Sequence, residues 1–148
     1  MLTSKYKKIL VAVDGSEHAD KAFEEAMDTA KRNNSILEIV FVINVINMET
    51  TSFAYSRALP NFLEDERKLA DDELNKKMEQ AKAEGVQEVK VFSDIADPKR
   101  RIVEFAEEEK VDLVIMGATG KGAIERALIG STTSYVVNHA PCNVLVVK

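Results

Sequence analysis

The sequence predicts a doubly wound α/β fold: five short strands in a parallel sheet, with helices on both faces. Short apolar, β-branched runs alternate along the chain with amphipathic stretches of helical spacing, in the order β-α-β-α-β-α-β-α-β. The runs are mostly apolar throughout, as strands buried on both faces are. A chain of 148 residues is long enough for one domain with a proper core, and no repeat divides it, so residues 1–148 read as a single domain. Right-handed crossovers join the strands of such a sheet, and ligands bind at their carboxyl ends, where the strand order reverses.

The first strand is read at Lys8 to Val13, stopped by Asp14-Gly15. A helix comes next, with Ser16 as its cap and Glu17 in its first turn, and Ala19, Ala22, Phe23, Ala26, Met27 and Ala30 recur on one face. Asn33-Asn34 closes it, and Ile36 to Val45 forms the second strand. Asn47 to Pro60 has no regular pattern, and a loop of that length in a compact domain is usually functional or mobile. From Asn61 to Glu84 a thin stripe of Phe62, Leu63, Leu69, Ala70, Leu74, Met78 and Ala81 predicts a long one-sided helix, ended by Gly85. Val86 to Phe92 alternates as the third strand. Asp97-Pro98 is a helix start, and Ile102, Val103, Phe105 and Ala106 supply the buried side of that third helix. Val111 to Met116 is the fourth strand, Ser131 to about His139 the fourth helix, and Val144 to Val147 the fifth strand.

Composition excludes several classes of function. A net charge of −5 and a pI near 5.2 argue against an extended nucleic-acid surface, which needs clustered Lys and Arg. The clusters Lys5-Lys7-Lys8 and Lys99-Arg100-Arg101 are small and read as solvated faces. No segment approaches the roughly 20 apolar residues of a membrane span. The single Cys142 cannot close an intramolecular disulfide, so a reducing, cytoplasmic location is expected.

The chemistry concentrates near the C-terminus, in Gly117-Ala118-Thr119-Gly120 and, nine residues later, Gly130-Ser131-Thr132-Thr133-Ser134. Glycines let backbone N–H groups approach a ligand, and a Gly-Ser-Thr run opening a helix adds hydroxyls and free amides at the positive end of its dipole. Phosphate is the natural guest. Gly117 ends the fourth strand and Asp14 the first, so neighbouring strands at the switch point would bring the acid and the glycine cradle to one crevice.

Taken together, these features resemble the ATP-binding branch of the universal stress protein family. The resemblance is carried by Lys8 to Ser16, by Val111 to Gly117, by the G-x2-G-x9-G-[ST] spacing, and by Ala140-Pro141-Cys142 before Val144 to Val147. It implies a strand order of 3-2-1-4-5 and a nucleotide across the carboxyl ends of strands one and four. It further implies that Ala12 and Asp14 line the ribose and metal side, Asp14 holding Mg²⁺, and that Val45 meets adenine. Met116, Gly117, Thr119 and Gly120 would follow the ribose and phosphates, while Gly130, Ser131, Thr132 and Thr133 would bind the outer phosphates. A single carboxylate with phosphate oxygens suits Mg²⁺. Asp14 also has a plainer reading, as a polar cap of the first helix. Members of the family often carry His at position 119, where this chain has Thr. The resemblance also implies a homodimer through Val144 to Val147, an apolar last strand whose open edge invites antiparallel pairing with a second copy.

Other motifs are missing. Lys121 is followed by Gly122, so this is no Walker A loop, and no G-x-G-x-x-G follows strand one. His18 and His139 stand far apart without a Cys cluster and read as surface or helix-end residues, and Cys142 reads as a packing residue. No catalytic residue is assigned. An ATP-loaded switch that alters partner binding under stress is the expected function, with ATP and Mg²⁺ as ligands. The alternatives are a slow Mg-dependent ATPase using Asp14 with Lys121 or Arg126, and a nucleotide-free structural homodimer.

Overall fold

The fold is taken from a computed structural model that describes residues 5–44, 59–119 and 128–148. Among the described residues, five strands, β1 (Lys8–Ala12), β2 (Ile36–Asn44), β3 (Glu88–Ala96), β4 (Leu113–Gly117) and β5 (Asn143–Val147), alternate with four helices. These are α1 (Glu17–Asn33), α2 (Leu59–Ala83), α3 (Pro98–Glu108) and α4 (Ser131–His139). The sheet runs β3-β2-β1-β4-β5, every neighbouring pair parallel.

Alternate strand residues feed two cores, because successive side chains leave a strand on opposite faces. Ile9, Val11, Leu37, Ile39, Leu113 and Ile115 meet α1 and α2 on one face. Leu10, Val40 and Val114 meet α3 and α4 on the other, with Ile102, Phe105 and Val136. Helix α1 supplies the largest buried stripe, and Phe23, 1% exposed, is its bulkiest member. Full burial of such a ring contributes about 1.5–3 kcal/mol.

Helix ends follow local chemistry. Ser16 caps α1, its Oγ accepting the Ala19 N–H at 3.2 Å, and Asn34 ends it in the left-handed conformation at φ 54°. Gly85, at φ 105°, closes α2 in a conformation that side chains rarely adopt.

The structure corrects several sequence expectations. Leu69 belongs to the apolar stripe by spacing, yet it is 63% exposed, and α2 is buried through Ala70, Leu74 and Ala81. The third strand starts at Glu88 and runs to Ala96, because register with β2 continues to Asn44↔Ala96 beyond the alternating segment. The fourth starts at Leu113 and continues through Gly117, which pairs with Val147. Asp97 stands at the N-cap of α3 without a side-chain cap bond, its carboxylate 3.6 Å from Arg100. The basic clusters are not wholly solvated: Arg101 reaches Asp94 at 2.8 Å, Glu104 at 3.1 Å and Glu108 at 3.2 Å. Lys8 Nζ donates to the Glu109 carbonyl at 2.9 Å, at the C-terminal end of α3, where a cation suits the dipole. Of the unpatterned segment, Leu59 and Pro60 open α2, and 47–58 lie outside the described residues.

Candidate functional site at the strand fork

The first and fourth strands part at their carboxyl ends. Pairing of β1 with β4 stops at Val11↔Ile115, while β1 stays with β2 through Ala12↔Val40 and the Val13 N–H bonds Val40 at 2.9 Å. On the other side β4 stays with β5 to Gly117↔Val147. The chain then leaves β1 for α1 on one face and β4 for α4 on the other, which opens a fork at the switch point.

On the β1 side, Gly15 takes φ 84° and turns the chain tightly into α1. The turn is fixed by Asp14, whose Oδ1 accepts the Ser16 N–H at 2.9 Å. Asp14 therefore braces the entry to α1 while Ser16 provides the cap, and the half-buried carboxylate stands at the fork.

On the β4 side, two hydrogen bonds clasp the glycine loop at its neck. The Gly130 N–H donates to the Ala118 carbonyl at 2.7 Å, and Thr133 Oγ1 donates to the Gly117 carbonyl at 2.8 Å. The Ala118 N–H is tied in turn to the Val147 carbonyl at 2.8 Å, anchoring the neck to β5. Gly130 is the N-cap of α4 and has no side chain to cap with. The first backbone N–H taken up within α4 is that of Ser134, bonded to the Gly130 carbonyl at 2.9 Å, so the preceding amides have no intrahelical acceptor. The exposed Ser131 and half-buried Thr132 add hydroxyls without a hydrogen bond to any described residue. Amides, dipole and hydroxyls there form an anion-binding end.

A profile of the universal stress protein family matches residues 5–148. The chain belongs to the universal stress protein family. A universal stress protein homologue of Staphylococcus haemolyticus is 42% identical over 149 aligned residues, which cover 100% of this chain and 87% of that one. Among solved structures, the universal stress protein UspA of Lactobacillus plantarum is 33% identical with a TM-score of 0.89, over 99% of this chain and 100% of its own. A universal stress protein solved in complex with cAMP is 27% identical with a TM-score of 0.74, over 98% of this chain and 99% of its own.

Within this universal stress protein fold, the fork gathers Ala12, Asp14, Gly117, Thr119, Gly130, Ser131, Thr132 and Thr133 from the strand ends and the start of α4. Val45 and Gly120 lie outside the described residues. Met116 is 5% exposed, its side chain part of the buried cluster that includes Ile102, Val103 and Phe105, so only its backbone can contribute. Thr133 is 3% exposed and its hydroxyl proton is held by Gly117. Among the described residues no three His, Cys, Asp or Glu side chains converge as a metal cage. A cation beside Asp14 would need further oxygens from a ligand, which is how Mg²⁺ commonly binds with phosphates.

Sequence reasoning missed one residue. His18, in the first turn of α1, places Nδ1 2.7 Å from Thr119 Oγ1. The approach depends on Gly117, because a Cβ there would stand 2.7 Å from the His18 carbonyl carbon and oxygen. A glycine at the end of one strand facing a small turn and a helix start was the available signal, but the contact spans 101 positions. Away from the fork, burial pushes the Cys142 thiol up, aided by the Asp112 carboxylate, which disfavours the reactive thiolate.

Proposed function

We propose that this universal stress protein is an ATP-binding cytoplasmic module, of the family's nucleotide-binding branch, that acts as a nucleotide-dependent switch. One observation carries the reading: the uncapped start of α4, with the open hydroxyls of Ser131 and Thr132, stands at the fork across from Asp14. The relative solved with cAMP supports a nucleotide over a bare anion. Asp14 would give Mg²⁺ one oxygen, leaving the rest to phosphate and water. Gly117, Thr119 and Gly120 would follow the ribose and phosphates, Val45 would meet adenine, and Gly130, Ser131 and Thr132 would hold the outer phosphates. Thr133 would act through its clasp on Gly117. The lone Cys142 supports the reducing compartment.

The working unit in this reading is a homodimer through β5. That strand is an edge paired among the described residues with β4, and Leu145 on it is 37% exposed, while Val137 on the neighbouring α4 is 47% exposed. An open apolar edge of this kind pairs readily with a second copy.

Protein purified without added nucleotide, then denatured, is expected to release an adenine nucleotide detectable by mass spectrometry. Stripped protein is expected to bind Mg-ATP in calorimetry, and Ser131→Ala/Thr132→Ala to bind it more weakly. No released nucleotide together with no binding of Mg-ATP would overturn the reading. Single-turnover hydrolysis that vanishes in Asp14→Asn would replace the switch with an ATPase.

A further inference from the structure

His18 is the one imidazole at the fork, and its ring makes one hydrogen bond among the described residues. Its Nδ1 lies 2.7 Å from Thr119 Oγ1, and Nε2 has no hydrogen bond among the described residues. The ring is half-buried, held there by the close backbone approach that Gly117 permits. Thr119 is half-buried as well, directly after the clasped neck of the glycine loop. At so short a separation the hydroxyl and the ring nitrogen share a single proton between them, and one of the two must donate.

We propose that His18 is a positioning residue of the nucleotide site, setting whether the Thr119 hydroxyl offers its proton or its lone pairs to the ligand. The inference rests on the nucleotide-binding reading above. A threonine hydroxyl has one proton and two lone pairs. When Nδ1 is bare, Thr119 donates to it and turns oxygen lone pairs outward, which a phosphate oxygen repels. When Nδ1 carries the proton, the ring donates to Oγ1 and the hydroxyl proton is released to a phosphate oxygen. A neutral imidazole reaches that state by moving its proton from Nε2 to Nδ1, because either ring nitrogen can hold it. A phosphate-bearing ligand therefore selects the Nδ1–H form and gains a donor from Thr119. Adenosine, which lacks phosphate, gains nothing from the exchange.

The test is calorimetric binding of Mg-ATP and of adenosine to nucleotide-stripped variants whose folding is checked by thermal melts. A net hydrogen bond is worth about 0.5–1.5 kcal/mol, so His18→Ala is expected to weaken Mg-ATP by roughly two- to tenfold and to leave adenosine unchanged. His18→Asn, whose amide places a donor near the position of Nδ1, is expected to restore most of the loss. In a Thr119→Val background, His18→Ala is expected to change nothing further. Ring-nitrogen NMR should show ATP moving Nδ1 toward the protonated form. Mg-ATP affinity unaffected by His18→Ala would overturn the inference, as would the same loss for adenosine, no rescue by Asn, or an undiminished loss in the Thr119→Val background. Those outcomes all require a wild type that binds Mg-ATP; a wild type that binds neither ligand overturns the nucleotide reading itself, and this inference with it.

Discussion

Glu38 gives the protein a pH-dependent stability that one substitution should abolish. The residue sits in the middle of β2 with 0% exposure, on the face shared with Leu10, and neither carboxylate oxygen has a hydrogen-bond partner among the described residues. Lys8 Nζ is 3.8 Å from Oε1, too far for a hydrogen bond, and donates to the Glu109 carbonyl at 2.9 Å. Burial first, and the Glu109 carboxylate second, push the Glu38 carboxyl up to about 7, against the weaker pull of Lys8 and Lys90. The unfolded chain returns it to about 4.5. Between those values the folded protein holds the proton that the unfolded chain releases. The stabilising contribution is thus complete below the unfolded value and is lost as pH rises through the folded one. A separation of that size corresponds to about 3 kcal/mol in all, of which about 2 kcal/mol disappears between pH 5.5 and pH 8. Glu38→Gln keeps the shape and removes the titration. Urea unfolding at those two pH values should show the wild-type midpoint falling by about 1 M at the higher pH. The variant should lose less by that amount, so the difference between the two proteins isolates Glu38 from every other titrating group. Parallel pH profiles for wild type and variant would refute the reasoning.

Gly117→Ala should destabilise the fold by about 1–3 kcal/mol and lower the melting temperature, because its Cβ meets His18 backbone atoms at 2.7 Å and a packed backbone cannot step aside; an unchanged melt would remove the close-approach argument. Thr133→Val should cost about 1–3 kcal/mol by orphaning the Gly117 carbonyl in a buried place, and chemical denaturation reads it directly. Leu145→Asp should leave the secondary structure intact by circular dichroism yet yield monomers by light scattering, and a persistent dimer would move the interface away from β5. Asp94→Ala should weaken the protein near neutral pH more than in acid below the unfolded value of 3.8. Burial is the largest single influence and opposes ionisation of Asp94, but the hydrogen bonds from Arg101 and the Ile95 N–H, with the charges of Arg101 and Arg67, together outweigh it and hold the carboxyl below its usual value, so its contribution is present above the unfolded value and lost as acid protonates it.

The element order and the parallel sheet were legible because apolar runs and amphipathic spacing are local properties. So were the Ser16 cap, the Asn34 stop and the start of α4 at Ser131, each set by one residue's backbone chemistry. Leu69 misled because helical spacing marks a stripe without saying how wide a face the sheet covers. The end of β3 was missed because Asp94 to Ala96 are held by register with Val42 to Asn44, a partner no local window contains. Glu38 was visible as the one charge inside a run of aliphatic residues, but whether it is buried depends on Lys8 and Glu109 arriving from elsewhere. The glycine motif marked the site, and its spacing said nothing of His18, which joins it only because the sheet order sets α1 beside the end of β4.

That last contact changes what the glycine motif means. Gly117 is required by packing whether or not a phosphate ever arrives, since α1 starts against it. Thr133 is likewise required by the clasp on the Gly117 carbonyl, whereas the Gly130 bond to Ala118 is made by a backbone N–H that most residues could supply. Two of the motif's positions therefore have a structural reason that would preserve them in a chain with no ligand. In the nucleotide-binding reading the functional weight falls instead on the amides opening α4, which have no intrahelical acceptor, and on the Ser131 and Thr132 hydroxyls, together with Asp14 and Thr119 at the same fork. A clasp that fixes the neck of the loop while leaving the start of α4 open lowers the ordering cost of an incoming anion, because the donors are already aimed. Changes at Gly117 or Thr133 should accordingly lower stability and binding together, while Ser131→Ala/Thr132→Ala should lower binding alone.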